Sequence, residues 1–181
     1  MEKEYMDLPN ESPQTALFYC LWCGAEQRTH FNVFTVVCSN CGRTLKHDGN
    51  CLKIPEMHEL KACSEEQLEW MLRKVCIPTK NAEFARRIAL TIKNRPDIVF
   101  EAAEMMCGLP HAKDVGWSLI EKLADENYYD ALAMLYNKYF TDDLRYRAQL
   151  EKYSELLVRE HGDQTAADTL RTILKKDGRL Y

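Results

Sequence analysis

Two short stretches, CLWCG at residues 20–24 and CSNCG at residues 38–42, decide how this chain is read. Each holds a Cys-x-x-Cys pair followed at once by glycine, and fourteen residues separate Cys23 from Cys38. Four thiols so placed can serve redox exchange, close two local disulfides or converge on one metal ion. A redox Cys-x-x-Cys normally stands alone beside a βαβ pattern, which this sequence lacks. In a reducing compartment paired cysteines bind metal more often than they form disulfides. A single tetrahedral Zn2+ site is therefore the expected arrangement, with Cys20, Cys23, Cys38 and Cys41 as ligands. Gly24 and Gly42 relieve the tight turns whose backbone amides point at the sulfurs. Four cysteine ligands leave no position open for water or substrate, so the ion is expected to hold a surface in shape and not to catalyse.

The residues around the thiols have the texture of strands. ALFYC (16–20) and HFNVFTVVC (30–38) are rich in aromatic and β-branched side chains, and RTLK (43–46) supplies a third short strand before the turn signal HDGN. With these strands the double knuckle resembles the zinc-ribbon superfamily over residues 17–47. That resemblance implies that Cys20, Cys23, Cys38 and Cys41 are structural zinc ligands. It also implies a setting in transcription, replication or translation machinery, reached by binding nucleic acid or by docking on a protein. The rest of the chain carries no such resemblance.

From Ser64 onward helical grammar takes over. SEEQ (64–67) is a capping box, followed by Leu68, Met71, Leu72 and Val75 at helical spacing, which predicts a helix to about Cys76 before Pro78. Asn81, Asp97, Thr141 and Asp163 are placed to cap later helices, and Gly108, Gly162 and Gly178 to end them. The expected fold class is mainly α, a small N-terminal β zinc ribbon followed by a multi-helix bundle or short helical array. The expected divisions are a mobile leader over 1–15, the ribbon over 16–50, a connector over 51–63 and a helical domain over 64–181.

The 181 residues carry a formal net charge of −4, which argues against coating nucleic acid by bulk attraction. The charge is segregated, however. Between residues 73 and 95 stand Arg73, Lys74, Lys80, Arg86, Arg87, Lys93 and Arg95 against the single acid Glu83. Arg86 and Lys93 lie opposite Phe84, Ile88 and Ile92 on a helical wheel, with Arg87 flanking. Arg73, Lys74, Arg86, Arg87, Lys93 and Arg95 are thus candidates for tracking phosphates, the bland alternative being a solvated, salt-bridged face. Trp22, inside the first knuckle, either stacks on a partner or packs against the helical domain.

His47, Cys51, His58 and Cys63 form a looser series whose spacing matches no recurrent metal-ligand pattern, and Cys76 and Cys107 fall on apolar helix faces as core residues. Six tyrosines from Tyr128 to Tyr153 read mostly as helix packing, with a partner groove as the alternative. No P-loop, nucleophile elbow, His-Glu-x-x-His or zinc-deaminase signature occurs, so no enzymatic activity and no small-molecule substrate are expected. The acidic, polar opening MEKEYMDLPNESPQT and the lack of a long apolar run point to a cytoplasmic protein, nuclear in a eukaryote, without membrane contact.

The functional expectation is a non-catalytic zinc-binding regulator in a nucleic-acid-processing complex, by direct contact or by docking on the machinery. The alternative is a protein–protein adaptor or inhibitor that never touches nucleic acid and uses Trp22 and the tyrosine surface.

Overall fold

The structure is a computed structural model that describes residues 5–7, 10–12, 15–30, 35–48, 51–141 and 144–179. It is mainly helical, with a small N-terminal β region, and divides into two compact units, residues 1–112 and 113–181. The division does not fall between ribbon and helices. The first helices belong with the ribbon, and the expected single helical domain over 64–181 is split at Ala112.

Seven short strands precede the helices: β1 (Tyr5–Asp7), β2 (Asn10–Ser12), β3 (Thr15–Tyr19), β4 (Glu26–His30), β5 (Thr35–Val37), β6 (Thr44–Asp48) and β7 (Cys51–Lys53). Two antiparallel hairpins, β3–β4 and β5–β6, each carry one Cys-x-x-Cys turn. The sheets run β2-β3-β4 and β1-β7-β6-β5. Two segments of the expected mobile leader are therefore paired strands, β1 against β7 and β2 against β3. Their pairing partners offer open edges whose backbone groups need hydrogen bonds, and a polar sequence can supply those as well as an apolar one. Strand β4, EQRTH, has no apolar signal. It is held in register from Thr15↔His30 to Tyr19↔Glu26, with Gln27 and Thr29 turned inward and Glu26, Arg28 and His30 outward. Phe31 and Phe34, in the middle of the expected second strand, lie outside the described residues.

Helix α1 (Met57–Leu60) follows, then α2 (Glu65–Met71), whose capping box forms as expected: the Gln67 backbone N–H donates to Ser64 Oγ at 3.3 Å and the Ser64 N–H to Gln67 Oε1 at 3.1 Å. The helix does not stop at Cys76. It widens into a π-turn over Leu72–Cys76, where the Ile77 N–H reaches the carbonyl of Leu72, and continues as α3 (Ile77–Thr79) through Pro78. The wider turn gives room for a ring that would otherwise crowd the preceding turn. α4 (Ala82–Thr91) starts at Asn81, whose side chain accepts the Phe84 N–H at 2.9 Å, and α5 (Pro96–Cys107) closes the unit. Leu60, Leu68, Met71, Leu72, Cys76, Phe84, Ile88, Ile98 and Met106 form its core. Cys107 is only half-buried.

The second unit is built of α6 (Lys113–Asp125), α7 (Tyr129–Tyr139), α8 (Arg147–His161) and α9 (Gln164–Lys176), packed through Ile120, Leu123, Leu132, Leu135, Leu157 and Ile173. Asp163 caps α9 by accepting the Ala166 N–H at 2.9 Å. Two expected caps act otherwise. α5 begins at Pro96 with Asp97 bound to Arg95, and α8 begins not at Thr141 but at Arg147, after a 3-10 turn over Leu144–Tyr146. No described helix is long and apolar enough to cross a membrane.

Candidate metal centre

Both knuckles adopt one backbone design. In the first, the Gly24 N–H donates to the Cys20 carbonyl (2.9 Å), the Cys20 N–H to Ala25 O (2.8 Å) and the Trp22 N–H to Cys20 Sγ (3.4 Å). The second repeats these bonds eighteen positions later: Gly42 N–H to Cys38 O (2.9 Å), Cys38 N–H to Arg43 O (2.9 Å) and Asn40 N–H to Cys38 Sγ (3.4 Å). Gly24 (φ +75°) and Gly42 (φ +70°) both occupy the left-handed region, which admits glycine without the steric cost of a Cβ. The turns thus set each cysteine pair on the same side, and Gln27 joins them, its Oε1 accepting the Ser39 N–H at 3.2 Å.

The four sulfurs converge. All lie within 4.8 Å of one another, with Cys20 Sγ 3.7 Å from Cys41 Sγ and Cys23 Sγ 3.6 Å from Cys38 Sγ. A disulfide needs about 2.05 Å. A tetrahedral ion bonded to four sulfurs at about 2.3 Å places them about 3.8 Å apart, so the spacing fits one four-coordinate metal. Cys20 and Cys38 are buried, Cys23 is half-buried and Cys41 is exposed, so the site is open to solvent along one edge. Burial above all pushes the Cys20 thiol far up and the Cys41 thiol up. At Cys23 burial is outweighed by hydrogen bonds from Asn40, the Ala25 backbone and the Cys38 and Cys20 thiols, which bring it down to about 6. A bound cation would favour the thiolate form of the four cysteines, with release of protons.

Among the described residues this is the only group of three or more potential ligands gathered closely enough for a metal. In the looser series, the side chains of His47 and Cys51 lie outside the described residues, His58 is exposed, and Cys63 is a half-buried free thiol.

Trp22 is 8% exposed: it is packed, though beside Arg43 and the connector and not on the helical domain over 64–181. The guanidinium of Arg43 sits 4.5 Å above its ring, and the indole shares a cavity of about 180 Å³ with Leu45, Ile54 and Pro55. The ribbon leans on α2 at a different tryptophan: a Cβ on Gly24 would stand 2.5 Å from Cζ2 of Trp70. Sequence reasoning missed Trp70. Its signal was a tryptophan inside the Leu68–Met71 stripe, with nothing in the local sequence to pair it with a knuckle.

The basic window is occupied largely by internal partners. Arg73 pairs with Glu69 and Glu101. Arg86 and Arg87 both bind Glu83, at 2.8 Å each. Arg87, with only 12% of its side chain exposed, also donates to the Pro55 carbonyl at 3.1 Å and lies 3.5 Å from Glu56. Arg95 takes Asp97 at 2.7 Å and Glu69 at 3.0 Å. Burial pushes the Glu83 carboxyl up, but Arg86 and Arg87 outweigh it and hold the group below the usual carboxylate range. Lys74, Lys80 and Lys93 are exposed. The acids that neutralise Arg73, Arg95 and part of Arg87 come from outside the 73–95 window, which is why the window alone suggested a phosphate-tracking face.

Comparison with protein-family models, with curated proteins and with solved structures finds no match to this chain.

Proposed function

We propose that this chain is a non-catalytic adaptor in which one Zn2+ ion, held by Cys20, Cys23, Cys38 and Cys41, fixes a β ribbon against the helices of the first unit so that the pair presents one rigid docking surface to a protein partner. The observation that carries the reading is the convergence of four thiols at tetrahedral spacing, on knuckles one of which abuts Trp70. Zinc is the natural ion for four thiolates in a closed tetrahedron, and such a site supplies folding energy and leaves no coordination position for a reaction. The resemblance to zinc ribbons makes nucleic-acid-processing machinery the expected setting. Docking is favoured over direct nucleic-acid contact because Arg73, Arg86, Arg87 and Arg95 are engaged with carboxylates.

Direct contact is the second reading, favoured by the exposed Lys74, Lys80 and Lys93. The two separate in an anisotropy titration of labelled single-stranded and duplex oligonucleotides between 50 and 200 mM salt. A protein making roughly six phosphate contacts would lose about 10³-fold in affinity over that range, with a proportionate loss on replacing Lys74 and Lys93 by Gln. Docking predicts no measurable oligonucleotide binding by the zinc-loaded chain. It also predicts complexes from nuclease-treated lysate that survive 200 mM salt and disappear when the zinc is removed.

A further inference from the structure

We propose that Cys41 is an oxidation site, at which a hydroperoxide opens the metal centre by linking Cys41 to Cys20 across the two knuckles. Such oxidation, which rests on the zinc reading of the site, switches off the docking surface that the ion holds together. The four thiols are alike as ligands but not in access. Cys20 and Cys38 are buried, Cys23 is half-buried, and Cys41 alone of the four is exposed. The sulfurs of Cys20 and Cys38 also each accept a backbone N–H, from Trp22 and Asn40, at 3.4 Å in both cases. A bound ion holds all four as thiolates, so access and not proton loss decides which sulfur an oxidant meets first. The second knuckle is also the less restrained: Trp70 fills the space beside Gly24, whereas nothing lies within 4 Å of a Cβ placed on Gly42. Movement of Cys41 towards a new partner therefore meets no packing that the first knuckle would have to break.

The chemistry balances with hydrogen peroxide as the oxidant. The Cys41 thiolate attacks one peroxide oxygen, the O–O bond breaks, and hydroxide leaves behind a sulfenic acid. The Cys20 thiolate, whose sulfur lies 3.7 Å from that of Cys41, then attacks the oxidised sulfur. An S–S bond of about 2.05 Å forms and a second hydroxide departs. Two thiolates have together lost two electrons, and the peroxide has taken them up as two hydroxides. Zinc is held by thiolate sulfur, so the cross-link leaves it only Cys23 and Cys38, and the ion is lost. A dithiol reductant reverses the step by exchange and restores four ligands.

The test treats the full zinc-loaded chain with hydrogen peroxide, follows zinc release with a colorimetric chelator, traps sulfenic acid with dimedone and locates cross-links by peptide mapping. The expected result is one equivalent of zinc before treatment and dimedone at Cys41 ahead of Cys20, Cys23 and Cys38. Without dimedone, zinc should leave in step with a Cys20–Cys41 disulfide and rebind after dithiothreitol and Zn2+ are added. Cys41→His keeps a fourth zinc donor but cannot form the cross-link, and should release zinc at least tenfold more slowly than wild type. Should that variant fail to take up zinc, the wild-type map decides alone. Dimedone first at Cys23, a disulfide confined to one knuckle, or release from Cys41→His as fast as from wild type would each overturn the proposal while leaving the zinc reading intact. Untreated wild type without zinc would overturn both.

Discussion

The indole of Trp70 occupies the space that a side chain on Gly24 would need, 2.5 Å from where a Cβ would stand. Gly42, at the equivalent point of the other knuckle, has open space within 4 Å. The two glycines share a backbone conformation and a hydrogen-bond pattern, so they differ in this one contact. It makes the first knuckle part of the helical packing of its unit and leaves the second free of that constraint.

Replacing each glycine by alanine separates the two effects. Gly42→Ala should cost about 1–2 kcal/mol, the penalty of a Cβ in left-handed backbone. Gly24→Ala should cost a further 1–3 kcal/mol or so for overpacking against Trp70. Adding Trp70→Leu should recover the second part only, as read from urea denaturation of the zinc-loaded protein.

Chelation should act on the tryptophans unequally. Trp22 lies inside the first knuckle and Trp70 against it, whereas Trp117 belongs to the second unit. Removing the metal should shift the emission of Trp22 and Trp70 to the red, and single-tryptophan variants retaining only Trp117 should show no change. A shift in those variants would mean that the metal organises more than the ribbon.

Glu83 stabilises the first unit through Arg86 and Arg87. Because its folded pKa lies below the ordinary value of 4.5, its contribution is fully present above that pH and fades as pH falls through the lowered folded value. Glu83→Gln should therefore lower stability by about 1–2 kcal/mol at pH 7 and by little near pH 3. An undiminished difference at pH 3 would show that packing and not charge makes the contribution.

What the sequence revealed was what neighbours in sequence decide. The Cys-x-x-Cys-Gly knuckles, the Ser64 box and the Asn81 and Asp163 caps each close within five residues, and each forms as read. The distant partner of each of Arg73 and Arg95 did not show, because Glu101 and Glu69 are brought up by the packing of α2 against its neighbours, from 28 and 26 positions away. Nor did the pairing of Tyr5–Asp7 with Cys51–Lys53, which depends on a sheet edge and not on composition. Trp22 was equally legible as exposed or packed, and Arg43 and Ile54 decide it only once the hairpins are folded.

The most direct measurement is the zinc content of purified wild type and of Cys38→Ser, taken with far-UV circular dichroism on the same samples. One equivalent of zinc in the wild type, its loss in the variant and a helical signal that persists would match one structural ion shared by both knuckles. A full equivalent retained in Cys38→Ser would contradict it.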